Sequence, residues 1–274
     1  LGPVGAITSP QKISPYNSTI STKNYLFTDL KQLSGDEYAN ILPEKVINEV
    51  FNKSSEGIKN YAYSDFADAF SNYEYCMNYA LRNFKNKLED NDEKAIKLNK
   101  EFGEFKNKNR DILQKEALFH VLAKSYGTND YSKWNDIDKN LIKGIENHDK
   151  ASLERYKKVV NRSKNDFDSY IFSQFIIEKQ IKENTKLRKT LDFKYINDLL
   201  VGYSNSDAWA NQDLFLENYR MGCPYGGTYG PQLWEIPVLD PKKLFNKDGS
   251  LGKAGLYLKN KLDKSLENFD NIRI

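Results

Sequence analysis

The sequence predicts an all-α fold. It reads as an elongated bundle of long antiparallel helices with an irregular loop of glycine, proline and aromatic residues and a C-terminal helix. Three observations predict this. Apolar residues recur at spacings of three and four through most of 64–220 and again over 253–269, the period of one helix face. Periodic runs of roughly 25–35 residues, separated by short polar turns, imply antiparallel neighbours crossing at about 20°. Finally, 18 Tyr, 15 Phe and 3 Trp in 274 residues supply a core, although only 39% of residues are hydrophobic and 29% are charged.

Along the chain, residues 1–33 hold Pro3, Pro10 and Pro15 among Ser, Thr and Asn without a sustained period, and read as an extended N-terminal arm. Ser34 and Pro43 each open a short helix. From Ser64, a candidate N-cap, the residues Phe66, Phe70, Tyr73, Met77, Leu81, Phe84 and Leu88 form one stripe. After the EDNDE turn, Ala95, Leu98, Phe102, Phe105, Ile112 and Phe119 continue a second seam up to a C-cap at Gly127, with Gly103 a weak point. Ser132 precedes a shorter helix, and Asp149 caps a long one whose buried side runs from Tyr156 to Ile181. Helices are expected near 192–201 and from Ser206 to about Arg220. LWEIPVL is a candidate extended piece, NKDG at 246–249 a turn, and 253–269 the last amphipathic helix. These divide into arm (1–33), helical body (34–220), and loop plus C-terminal helix (221–274), together one domain, with no repeat of fixed period.

Composition excludes several functions. Forty-one basic residues nearly cancel 38 acidic ones, leaving a net charge of +3, and lysine outnumbers arginine 34 to 7. That balance gives no strong field for nucleic acid and few guanidinium groups to read bases, so no specific nucleic-acid partner is expected. The Lys, Asn, Tyr and Ile excess fits the codon bias of an AT-rich microbe. No apolar run approaches the roughly 20 residues of a membrane helix. The chain begins with Leu, so its N-terminus is processed or cut. Export, periplasmic or secreted, is favoured over a cytoplasmic location. The sequons at Asn17, Asn52 and Asn161 carry no weight in so asparagine-rich a chain.

The motif search is mostly negative. His120 and His148 are the only histidines, and neither HExxH nor CxxC occurs, so no metal site and no cofactor are expected. His120 lies one turn after Glu116 and is expected to bond it. GSLGKAG at 249–255 fails the phosphate-loop spacing, and GGTYG at 226–230 lacks the strand and helix of a dinucleotide site. Cys223 follows a predicted helix end, where the dipole disfavours a thiolate, which argues against a nucleophile. Cys76 and Cys223 form a candidate disulfide, set against two separate reduced thiols.

The stretch MGCPYGGTYGPQLWEIP at 221–237 is the best place to look for function. Trp209, Tyr225, Tyr229 and Trp234 are candidate binding residues, because Tyr and Trp pair an apolar face with a polar handle. The same rings also suit a cover packed flat on the bundle. That reading is favoured, with Trp234 buried and Cys223 slow to react. The leading function is a helical interaction or structural protein acting through surface contacts with a protein partner. Whether it is an enzyme stays open. One alternative is a hydrolase or transferase with a cleft between the C-terminal loop and the bundle. Another is a carbohydrate- or peptide-binding module using the aromatic loop.

Overall fold

Helices carry most of the chain in the computed structural model, which describes residues 5–7, 14, 18–19, 21–57, 65–199, 202–267 and 269–273. Pro3, Pro10, Pro15, Asn17 and Ser64 lie outside the described residues. In chain order the elements are α1 (Glu44–Gly57), α2 (Phe66–Glu89), α3 (Glu93–Lys108), α4 (Arg110–Tyr126), α5 (Asp136–Lys139), α6 (Leu141–Glu146), α7 (Lys150–Arg162) and α8 (Lys164–Thr190). Then follow β1 (Ile196–Asp198), α9 (Asn205–Ala210), β2 (Phe215–Cys223), β3 (Gln232–Leu239), α10 (Lys253–Leu266) and β4 (Asn271–Arg273).

The apolar spacing places the core. α2 buries Cys76, Met77, Ala80, Leu81 and Phe84, and α3 buries Ala95, Leu98 and Phe102. Phe84 stacks on Phe172 of α8 with centroids 5.4 Å apart, and Phe102 meets the same ring edge-on. Side chains end the helices where the local chemistry competes with the backbone. Asp65 and Asp92 cap α2 and α3 by accepting the N–H of Asp68 and Ala95. The seam expected to run to Gly127, with Gly103 as its weak point, divides instead at Asn109, whose amide donates to the Phe105 carbonyl at 2.9 Å, and Gly103 stays inside α3.

Residues 21–30 run along α8, held by two glutamines. Gln174 accepts the Lys23 N–H at 2.7 Å and donates to the Lys23 carbonyl at 2.9 Å. Gln180 treats Asp29 in the same way at 2.9 and 3.0 Å. Each carboxamide acts as a one-residue strand, satisfying both backbone groups of the residue it faces.

The all-α expectation is corrected here. Where helices were expected over 192–201 and 206–220, the chain forms β1 and the short α9 followed by β2. Ser204 and Asp207 make a reciprocal capping box that starts α9. Asn211, at φ −137 and ψ 45, stops it after six residues, and its amide donates to the Asp207 carbonyl at 2.9 Å. β2 pairs antiparallel with β3, while β1 pairs parallel with β4, Ile196 opposite Asn271. The predicted helix concealed β2 because spacings of three and four cannot be told from chance over so short a run. Among the described residues no helix is long and apolar enough to cross a membrane.

Candidate active-site wall: the bulged hairpin and its cleft

The β2–β3 hairpin holds the irregular stretch singled out in the sequence. Its base is anchored: Phe215 and Ile236 are buried, and Phe215 meets Tyr203 edge-on at 5.3 Å and Tyr257 at 6.2 Å. The Asp240 N–H donates to the Leu214 carbonyl at 2.8 Å and closes the base. Beyond it, the hairpin leaves the body.

Register is broken twice along the ladder. Phe215 pairs with Leu239 but Arg220 with Pro237, and Met221 pairs with Ile236 but Gly222 with Leu233. Each shift is a bulge, which bends the strand and re-aims the side chains within it. Arg220 holds the first bulge by donating to the carbonyls of Glu217 and Tyr219 at 3.1 and 2.8 Å. The second contains Trp234 and Glu235, and Glu235 has φ +57, a left-handed conformation that L side chains adopt seldom and often near functional sites.

The tip is a glycine turn between Pro224 and Pro231. Gly227 sits at φ +76, the Gly226 N–H donates to the Tyr229 carbonyl at 3.2 Å, and the Tyr225 hydroxyl donates to the Gly227 carbonyl at 3.2 Å. The outcome is an aromatic outer surface. Tyr219, Tyr225, Tyr229 and Leu233 are 64–70% exposed and Trp234 is 43% exposed. The Trp234 indole N–H donates to Gln232 at 3.0 Å, which satisfies its polar edge. The expected cover over the bundle is therefore corrected: these rings face solvent. The tip offers them no neighbouring apolar surface, so packing cannot draw them in.

Of the sequence-predicted binding residues, Tyr225, Tyr229 and Trp234 share the hairpin, and Trp209 does not. Trp209 is buried beneath, edge-on to Trp134 at 5.9 Å. Cys76 is buried in the core and Cys223 is exposed on β2; both are free thiols, so no bond ties the hairpin to the helices. His120 does not bond Glu116. It stacks on Tyr170 at 4.9 Å, with its Nε2 3.8 Å from Glu74. The sequence reading misses Tyr219, Leu233 and Glu235, whose exposure depends on bulges that no local pattern announces.

Between the hairpin base and α5, α6 and α9 lies a cleft of about 650 Å³. Its wall includes Tyr131 and Phe215, with Lys139, Lys143 and Arg220 set against Glu146, Asp213 and Glu217. Three cations against three anions give a wall with many hydrogen-bonding groups and little net charge, which suits a neutral polar ligand better than an ionic one. Among the described residues no group of three or more His, Cys, Asp or Glu is placed to hold a metal ion.

The sequence profile of glycoside hydrolase 77, 4-alpha-glucanotransferase, matches residues 1–274. The chain belongs to this family. An amylomaltase from Streptococcus agalactiae in complex with acarbose is similar in structure, with TM-score 0.71 at 17% identity, over 100% of this chain and 50% of that one. An amylomaltase from Corynebacterium glutamicum is similar with TM-score 0.62 at 14% identity, over 99% of this chain and 34% of that one. At those identities the likeness shows the fold, and the chain spans about half and about a third of their lengths. No curated protein matches the chain.

Family membership completes two corrections. The fold of glycoside hydrolase 77 is TIM-barrel-like, not an all-α bundle. Among the described residues β1 and β4 form a two-stranded parallel sheet and β2 and β3 a two-stranded antiparallel one. The leading sequence reading, an interaction or structural protein, gives way to its hydrolase-or-transferase alternative.

Proposed function

We propose that this chain forms a glucan-binding wall of a 4-α-glucanotransferase, an enzyme that moves a segment of α-1,4-linked glucan from one chain to the hydroxyl of another. The observation that carries the reading is the exposed aromatic hairpin beside a charge-balanced cleft, in a chain of this family. Sugar rings present apolar C–H faces and a rim of hydroxyls. The faces suit the rings of Tyr219, Tyr225, Tyr229 and Trp234, and the hydroxyls suit the mixed donors and acceptors of the cleft.

The chemistry of retaining transfer uses two carboxyl groups about 5–5.5 Å apart. One attacks the anomeric carbon, and the other protonates the leaving oxygen and later deprotonates the incoming hydroxyl. A second sugar must then outcompete water for the glycosyl-enzyme intermediate. A wall of aromatic rings helps by holding the acceptor and excluding water.

Two measurements test this. Maltotriose incubated with the protein should yield glucose together with longer oligosaccharides. Maltoheptaose should change the emission of Trp234, the one half-exposed tryptophan, while Trp134 and Trp209 are buried at 4% and 1% exposure. Acarbose, bound in the Streptococcus agalactiae structure, is the competitor to try. Trp234→Ala and Tyr229→Ala should each weaken maltoheptaose binding several-fold. Unchanged emission at saturating oligosaccharide, with no longer products from maltotriose, would remove the proposal.

A further inference from the structure

A second cavity, of about 240 Å³, lies away from the hairpin, between α2, α4, α8 and the N-terminal segment. Tyr25, Phe70, Phe119 and Tyr170 wall it, and Glu116, His120, Glu74 and Lys124 add polar groups. Tyr25 and Phe70 meet edge-to-face at 5.8 Å. Glu116 is only 7% exposed, and among the described residues no lysine or arginine pairs with it. Lys124, the nearest cation on the wall, is engaged by Glu74 at 3.0 Å and Asp166 at 3.3 Å. The hydroxyls of Ser206, Thr22 and Tyr170 lie beside the Glu116 carboxyl and supply polar neighbours but no positive charge.

We propose that this cavity binds a small organic ammonium ion, held between the Glu116 carboxyl and the surrounding aromatic rings. A buried acid without a counter-cation, in a cavity walled in part by four aromatic side chains, is complementary to a cation that is itself poorly hydrated. An anion would face Glu116, Glu74 and the nearby Asp207. A wholly apolar ligand would leave the carboxyl unpaired. Neither glucan binding nor the hairpin enters this inference.

Binding should move a proton. Burial, followed by the charge of Asp207, pushes the Glu116 carboxyl up to about 8; hydrogen bonds from Ser206, Thr22 and Tyr170 pull it down only in part. Burial keeps His120 low and neutral, with Glu74 and Asp166 opposing that shift and Lys124 reinforcing it. At pH 7 Glu116 is therefore held mainly in its protonated form, and an ammonium ion beside it favours the carboxylate, releasing that proton to the buffer.

The experiment is isothermal titration of the whole protein at pH 7 with choline and with its neutral isostere 3,3-dimethylbutan-1-ol, in two buffers of different ionisation enthalpy. Choline should bind at least ten-fold more tightly than the isostere and release protons on binding. Glu116→Gln, checked for folding by circular dichroism, should weaken choline at least ten-fold and abolish proton release. Phe70→Leu should weaken choline while leaving the proton release intact. Equal binding of the isostere, choline binding unchanged by Glu116→Gln, or no heat at about 10 mM ligand would each overturn the proposal.

Discussion

The indole N–H of Trp209 donates to the backbone carbonyl of Asp138 at 2.9 Å. Through it α9, from which the chain passes into the hairpin, is fixed to α5. Trp209 also packs on Phe119 at 5.7 Å. Trp209→Ala should destabilise by about 3–5 kcal/mol, the range for a large cavity. Trp209→Phe should cost about 1–2 kcal/mol, since the ring is kept and one buried carbonyl loses its donor. Urea unfolding checks both; since each variant loses the indole N–H, equal costs would show that the packing of the ring contributes nothing beyond that bond.

The side chain of Asp138 extends the same joint. It is wholly buried and accepts from Arg155 at 2.7 and 2.6 Å, Tyr126 at 2.8 Å and Asn135 at 3.1 Å. Burial opposes its charge, but the bonds to Arg155 and Tyr126 outweigh it and hold the carboxyl below its ordinary range. The stability it contributes is present above the unfolded pKa of about 3.9 and is lost as pH falls through the lower folded value. Asp138→Asn should cost about 2–3 kcal/mol at pH 7, the low side for a buried pair because Arg155 keeps some water. The cost should shrink in acid, which urea titrations at pH 7 and pH 3 would reveal.

Exposure on the hairpin predicts chemical behaviour opposite to that of a packed cover. Acrylamide should quench one tryptophan strongly, and Trp234→Phe should remove that component, since Trp134 and Trp209 are shielded. Cys223 should label with a thiol reagent in the native protein. Cys76 should not, as it is buried and burial pushes its thiol up to about 11. Equal labelling of the two would contradict the hairpin geometry.

Gly222 faces the opposite strand so closely that a Cβ there would fall 2.3 Å from the Gln232 carbonyl oxygen. Gly222→Ala should therefore splay the hairpin next to the second bulge. Because the core lies elsewhere, the melting temperature should move by only a few degrees. Maltooligosaccharide binding should fall several-fold more than for Gly226→Ala, where nothing lies within 4 Å of an added Cβ.

How much of this was legible depends on period. The α2 and α3 seams, with Phe84 and Phe102 against α8, were readable because helical spacing repeated over several turns and summed to a clear face. The Asp149 cap was readable from chemistry alone. β2 was not, since a strand of nine residues with two irregularities leaves no alternation to find. Site residues divide in the same way. Tyr225, Tyr229 and Trp234 stood out by type. Tyr219 was absorbed into a false helix, and the burial of Trp209, which lines the cleft, was not foreseen because side-chain type does not report burial. The family was not legible, because the loop that carries the aromatic residues matches no catalytic motif of known spacing.

Glu116 offers the sharpest test of the interior. A carboxyl raised to about 8 by burial and by Asp207 keeps its proton in the folded state, while in the unfolded chain it loses that proton near 4.5. Between those values the unfolded state binds fewer protons, so this group lowers stability progressively as pH rises from about 4.5 to 8. Above 8 both states are ionised and the dependence ends. Glutamine has the same shape and never ionises, so Glu116→Gln should change stability little at pH 4.5–5. Relative to wild type it should gain on the order of a few kcal/mol by pH 8, because each ten-fold difference in proton affinity between the two states is about 1.4 kcal/mol. Thermal melts of both proteins at pH 5, 6.5 and 8 provide the comparison. A gap that widens with pH supports a protonated Glu116; a constant gap would mean that the carboxyl is already ionised in the folded protein.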